Sequence, residues 1–122
     1  MVSPISDFLF LYLGKTDACG HEYGWMSEEY LACVRRAWDC IASVLQHMPE
    51  GYSFILTADH GGHLRSHGTD DPQDMTIPLC FLGPRFTPGL ETDGLSIKDI
   101  APTVARLLDV PPVPEWEGTP RC

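Results

Sequence analysis

Asp59-His60-Gly61-Gly62-His63, followed closely by His67-Gly68, gathers a carboxylate and up to three imidazoles within nine residues. Asp17-x-x-x-His21 repeats the mixture upstream. Of the five histidines in the chain, only His47 lies outside these two segments. Neutral imidazole with carboxylate is a ligand set that suits Zn²⁺ and related divalent ions. Either segment alone is a weak signal, and exposed polar loops are the plain alternative. Ordinary connections, however, draw on Asn, Ser and Pro as well as Gly. These two are rich in His and Gly, and each follows a run that reads as a strand.

The elements that must hold these groups follow from apolar spacing. Residues 7–13 read as a strand, and the continuous apolar run after Asp7 is the mark of one buried on both faces. Residues 14–26 read as a loop carrying Asp17 and His21. Ser27 suits a helix N-cap, with Glu28 and Glu29 in the favoured first turn. Tyr30, Leu31, Val34, Trp38, Ile41, Val44, Leu45 and Met48 then recur at helical spacing, predicting an amphipathic helix closed by Pro49 and Gly51. His47 falls at its end, where a helix-dipole contact explains it. Residues 52–57 read as a second buried strand, 58–76 as a long ligand loop and 77–82 as a third strand. A helix over 99–108 must place Pro102 in its first turn, with a cap nearer Asp99 than Ser96. The tail from Pro111 reads as extended, with Trp116 packing back. This α/β order predicts three strands in one sheet flanked by the 27–48 helix. Ligands at strand ends are where open α/β sheets place their sites. An uncovered apolar strand edge is also expected, and such an edge invites self-association.

The length suits one domain, 1–122, able to bury an ordinary core. A hydrophobic content of 43% with 20% charged residues fits a soluble globular chain. A formal charge of −9 disfavours nonspecific binding to nucleic acid or to an anionic membrane. The five cysteines are odd in number and include no C-x-x-C pair. That pattern predicts reduced thiols and a cytoplasmic setting, with Cys33 and Cys40 filling a core and Cys19 a bystander. Residues 8–13 are too short a run to span a bilayer and lack the basic flank of a signal peptide.

Taken together the motifs resemble a known family. Thr16-Asp17-Ala18-Cys19-Gly20-His21-Glu22-Tyr23-Gly24 is similar to the D-x-x-G-H-x-x-G segment of the alkaline phosphatase superfamily, in its nucleotide pyrophosphatase and type I phosphodiesterase branch. Thr57-Ala58-Asp59-His60-Gly61-Gly62 resembles its (S/A)-D-H-G segment, and Ser66-His67-Gly68 its final H-G. Ile77-Pro78, Gly83-Pro84 and Asp99-Ile100-Ala101-Pro102-Thr103 follow in family order, so the likeness runs from about residue 8 to about residue 118.

The resemblance implies a three-layer α/β/α sheet, of which this chain is the C-terminal part. It implies two divalent ions, zinc first with Mn or Mg as alternatives, acting on a phosphate ester or nucleotide. Asp17, His21 and His67 would hold one ion, and Asp59 and His60 the other. The family's Asp ligand and Thr or Ser nucleophile belong to an N-terminal part, and neither Ser3 nor Ser6 sits in that context. No catalytic nucleophile is therefore assigned, and the chain alone is expected to be inactive. His63 is open between supporting a ligand, replacing one, touching substrate and lying on the surface. Asp70 is a candidate to orient a ligand histidine. The rival readings are a metal-holding module inactive by itself, loops that hold metal only to order an interface, and a related sulfatase, phosphonoacetate hydrolase or phosphoglycerate mutase type.

Overall fold

The computed structural model describes residues 6–122, so Ser3 lies outside the described residues. The chain divides into two compact units. One comprises Leu9–Glu50 and Leu56–Leu79, and the other comprises Gly51–Ile55, Cys80–Cys122 and the first residues described.

In the first unit, helix α1 covers Lys15–Tyr23, where the sequence had suggested a loop. Its glycines are responsible for that misreading. Gly24 does end the helix, at φ 97°, with its N–H on the Gly20 carbonyl. Gly20, by contrast, sits inside the helix because a Cβ there would come within 2.7 Å of the Trp25 ring. Asp17 and His21, four residues apart, therefore share a helix face. Helix α2, Glu28–Gln46, begins where expected, with the Ser27 hydroxyl accepting from the Tyr30 N–H. It packs against α1 and buries Cys33 and Ile41.

Cys19 of α1 and Cys33 of α2 are joined by a disulfide, which corrects the expectation of reduced thiols at these two positions. Their separation of 14 residues is bridged by the turn between the helices, a proximity that counting cysteines cannot reveal. Cys40, Cys80 and Cys122 are free.

Residues 8–13 are not a strand. Phe8, Leu9, Phe10, Leu11 and Tyr12 are all exposed. A continuous apolar run records a need for burial on both faces, and no strand flanks it among the described residues. The expected three-stranded sheet is accordingly two-stranded: β1, Phe54–Thr57, pairs with β2, Leu79–Leu82. β1 is only half-buried, and β2 alternates between half-buried and exposed. The structure is α/β, and no third layer is seen among the described residues. The ligand loop is more ordered than its length suggested. It contains an antiparallel bridge between His63 and Ser66 and a short helix α3, Pro72–Met75, capped by Asp71.

In the second unit a 3-10 turn, Ile97–Asp99, leads into helix α4, Ile100–Leu107. Pro102 occupies the first turn as expected. The side-chain cap, however, is a reciprocal Ser96–Asp99 box on the 3-10 turn, while Asp99 makes no cap bond to α4 itself. Asp99 is buried at 3% exposure. It accepts from the amides of Ser96 at 3.0 Å and Thr119 at 2.8 Å, and from Arg121 Nε and Nη2 at 2.9 and 2.6 Å. Thr103 Oγ1 adds a bridge, donating to the Asp99 carbonyl and accepting from the Arg121 amide. The C-terminal tail is thus tied to α4 by polar contacts, and Trp116 remains 42% exposed. No helix among the described residues is long and apolar enough to cross a membrane.

A candidate metal centre

Helix α1 and the loop after β1 belong to the same unit, and they bring the predicted groups together around one atom. Asp17 Oδ1 lies 3.4 Å from His21 Nε2, 3.5 Å from His67 Nε2 and 3.8 Å from His60 Nε2. The donor atoms of Asp17, His60 and His67 all fall within 4.8 Å of one another. A tetrahedron with bonds of about 2.0–2.1 Å has edges of about 3.3 Å, so the two shorter separations are close to what a single zinc-sized ion needs.

The protonation pattern makes the same point more strongly. His21 Nδ1 is 2.9 Å from the Arg65 carbonyl, and His60 Nδ1 is 2.7 Å from the Gly61 carbonyl. A carbonyl oxygen only accepts, so both Nδ1 atoms carry the proton. A ring that is neutral in this orientation turns a bare Nε2 lone pair toward Asp17 Oδ1. That oxygen is itself buried and has no hydrogen-bond partner. Lone pairs facing an unpartnered carboxylate oxygen repel unless a cation lies among them. Fixing Nδ1–H on a carbonyl is also how metal-binding histidines are commonly oriented.

The resemblance implied Asp17, His21 and His67 about one ion and Asp59 with His60 about another. His60 lies near both Asp17 and Asp59, and its ring stacks on that of His67 with centroids 3.6 Å apart. Asp59 Oδ2 is 3.7 Å from His60 Nε2, and its carboxylate is mostly exposed. His21 approaches Asp17 but falls outside the three-residue cluster. Asp70 is exposed and makes no side-chain hydrogen bond among the described residues.

His63 is not in the cluster either. Its Nδ1 pairs with Asp74 Oδ1 at 2.7 Å, and the Thr69 amide and hydroxyl donate to Asp74 Oδ2. The bond to Asp74 raises the His63 pKa above its ordinary value against the lowering effect of burial. The same bond, reinforced by Thr69, brings the Asp74 carboxyl down to about 2. Asp74 is buried, at 2% exposure, although the sequence does not single it out. The only hint in the sequence was its place among three aspartates within five residues.

Trp25 was also missed. Its ring meets His21 edge-on at a centroid distance of 5.2 Å and His67 at 5.9 Å. It lies so close to Gly62 that a Cβ there would come within 2.2 Å of the indole. Gly61 is equally constrained, since a Cβ would come within 2.0 Å of the Gln73 carbonyl. The Gly61-Gly62 pair is thus required by close approach on both sides.

The chain has relatives among known proteins. The chain is similar to GPI ethanolamine phosphate transferase 1 of Aspergillus oryzae, 34% identical over 64% of this chain and 9% of that protein. It is similar to alkaline phosphatase PhoD of Zymomonas mobilis subsp. mobilis, 32% identical over 75% of this chain and 16% of that protein. It is also similar to the 2,3-bisphosphoglycerate-independent phosphoglycerate mutase of Laribacter hongkongensis, 33% identical over 70% of this chain and 16% of that protein. The chain therefore spans less than a fifth of the length of these relatives. No solved structure matches it. The type I phosphodiesterase / nucleotide pyrophosphatase pattern matches residues 3–69, more than half of the chain, and the chain belongs to that family.

Proposed function

We propose that this chain supplies the metal-holding part of a phosphoric ester hydrolase or phosphoryl transferase. Asp17, His60 and His67 would hold one divalent ion, zinc foremost. His21 stands beside them, and Asp59 would serve a second ion. The observation that carries the reading is Asp17 Oδ1, buried, without a hydrogen-bond partner and faced by three imidazole nitrogens. A bound ion of this kind polarises phosphoryl oxygens and neutralises the charge that develops on them. The chain's own residues do the holding. The Arg65 and Gly61 carbonyls fix two ring orientations, the His60–His67 stack limits rotation, and the Trp25 ring packs edge-on against His21 and His67.

The substrate class would be a phosphate ester or nucleotide. No Ser or Thr in the chain matches the family's nucleophile, so the chain by itself would hold metal without rapid turnover. A positioned nucleophile is needed for covalent phosphoryl transfer. The test is zinc content after mild purification, measured for the full chain and for His67→Ala. Zinc near one equivalent, lost in the variant, is expected; equal content in both would refute the assignment. Assay with bis(p-nitrophenyl) phosphate and added zinc checks the second half. Fast turnover abolished by His67→Ala would show a complete active site.

A further inference from the structure

Two of the three clustered ligands come from one loop, and nothing in its glycine-rich sequence would keep them in place. His60 precedes Gly61-Gly62, and His67 is followed by Gly68 at φ 95°. Such a chain has many conformations to lose. The restraint comes from one residue beyond both ends. The Asp74 carbonyl accepts from the Gly61 N–H at 2.7 Å, and the neighbouring Gln73 carbonyl accepts from Gly62 at 2.9 Å. The Asp74 carboxylate then divides its two oxygens. Oδ1 takes His63, three residues after His60, at 2.7 Å. Oδ2 takes the amide and hydroxyl of Thr69, two residues after His67, at 2.9 and 2.7 Å. Every one of these contacts lies within the first unit. A buried carboxylate with all its bonds made is rigid and costly to disturb.

We propose that Asp74 is the positioning residue that fixes His60 and His67 at their mutual spacing, acting through Gly61, His63 and Thr69. The proposal rests on the reading that these histidines hold a metal ion. It assigns His63 a place in the clamp and leaves it out of the ligand set. The asymmetry of the carboxylate matters here. An Asn at this position has one oxygen and one amide, so it can accept from Thr69 or from His63 but not from both.

The experiment uses the full chain as wild type, Asp74→Asn, His63→Gln and Thr69→Val. Co²⁺ is titrated in, and both its affinity and its visible absorption band are recorded, because the band reports ligand geometry. Hydrogen exchange at the Gly61 and Thr69 amides is measured in the metal-free proteins. For Asp74→Asn a 10- to 100-fold loss of Co²⁺ affinity is expected, the range seen when the partners behind metal ligands are removed. A shifted band and faster exchange at Thr69 should accompany it. His63→Gln and Thr69→Val should each give a smaller shift in the same direction. Wild-type affinity and an unmoved band in Asp74→Asn would overturn the proposal. If wild type takes up no Co²⁺, the metal reading falls, and exchange alone decides: unchanged protection at Gly61 and Thr69 in Asp74→Asn overturns the clamp, and loss at both supports it. Should Asp74→Asn fail to fold, the two single-arm variants decide by the same outcomes.

Discussion

Asp17 and Asp99 are both carboxylates with an oxygen out of reach of water, one in each unit, and they are treated in opposite ways. Around Asp99 every neighbour is a donor: two backbone amides and a guanidinium. Burial pushes its carboxyl up, but Thr119, Ser96 and Arg121 together hold it below the ordinary carboxylate value. Around Asp17 Oδ1 the neighbours are ring nitrogens, and no hydrogen bond is made. The satisfied carboxylate completes its own structure. The unsatisfied one is the oxygen on which the proposed metal reading rests. Burial alone would not separate a site from a structural anchor; the identity of the surrounding atoms does.

The sharpest way to break this contrast is to remove Asp17. Asp17→Ala should cut zinc affinity by about 1000-fold, or ~4 kcal/mol, because it deletes a ligand where even outer partners are worth about 10- to 100-fold. The metal-free protein should be no less stable, since an unpartnered buried oxygen has gone. Isothermal titration with zinc and denaturant unfolding of the apo form check the two halves. An apo form weakened by the change would mean that Asp17 is structural like Asp99.

Next in size is the Cys19–Cys33 link, which ties the helix bearing Asp17 and His21 to α2. Closing a loop of about 15 residues is worth roughly 3 kcal/mol. Cys33→Ser, or reductant added to wild type, should lower the unfolding free energy of the first unit by about that amount, read from urea curves. Asp99→Ala should cost somewhat less, about 2 kcal/mol, because Arg121 is a third exposed and regains water. It should leave zinc affinity unchanged. A loss of zinc affinity in that variant would show that the two carboxylates are not independent.

The smallest effect is a pH dependence of the Asp74–His63 pair. His63 has a folded-state pKa raised above about 6.5. Its contribution is therefore complete below that value and fades as pH rises through the raised pKa. Asp74 is lowered from 3.8 to about 2, so its contribution is complete above about pH 4 and fades as pH falls through 2. Exchange protection at Thr69 should be greatest between these limits. His63→Gln should abolish the alkaline change; a variant that keeps it would place the titration elsewhere.

Asp17, His21, Asp59, His60 and His67 stood out by residue type and spacing, because a ligand set needs particular chemistry. The structure gathers Asp17, His60 and His67 most tightly, a grouping that spacing did not give. The helix 28–46 was legible because its cap and apolar stripe are local. Residues 15–23 were misread because Gly20 and Gly24 look like loop punctuation, and only the Trp25 ring explains Gly20 in a helix. The run 8–13 was misread because a strand is defined by partners that its own residues do not specify. The disulfide and the Asp74 clamp were missed for one shared reason. Each joins residues that the pattern of types leaves unremarkable, and only the packing of α1 on α2 or the return of α3 brings them together.

Trp25 gives this unit an optical reporter of its own state. Its indole lies edge-on to two of the imidazoles that face Asp17, while Trp38 and Trp116 have no histidine ring stacked against them among the described residues. An ion bound at those rings would change the immediate surroundings of the indole, and with them its emission. Fluorescence of a Trp38→Phe, Trp116→Phe protein would therefore follow occupancy of the site without a label, a colorimetric metal or a substrate.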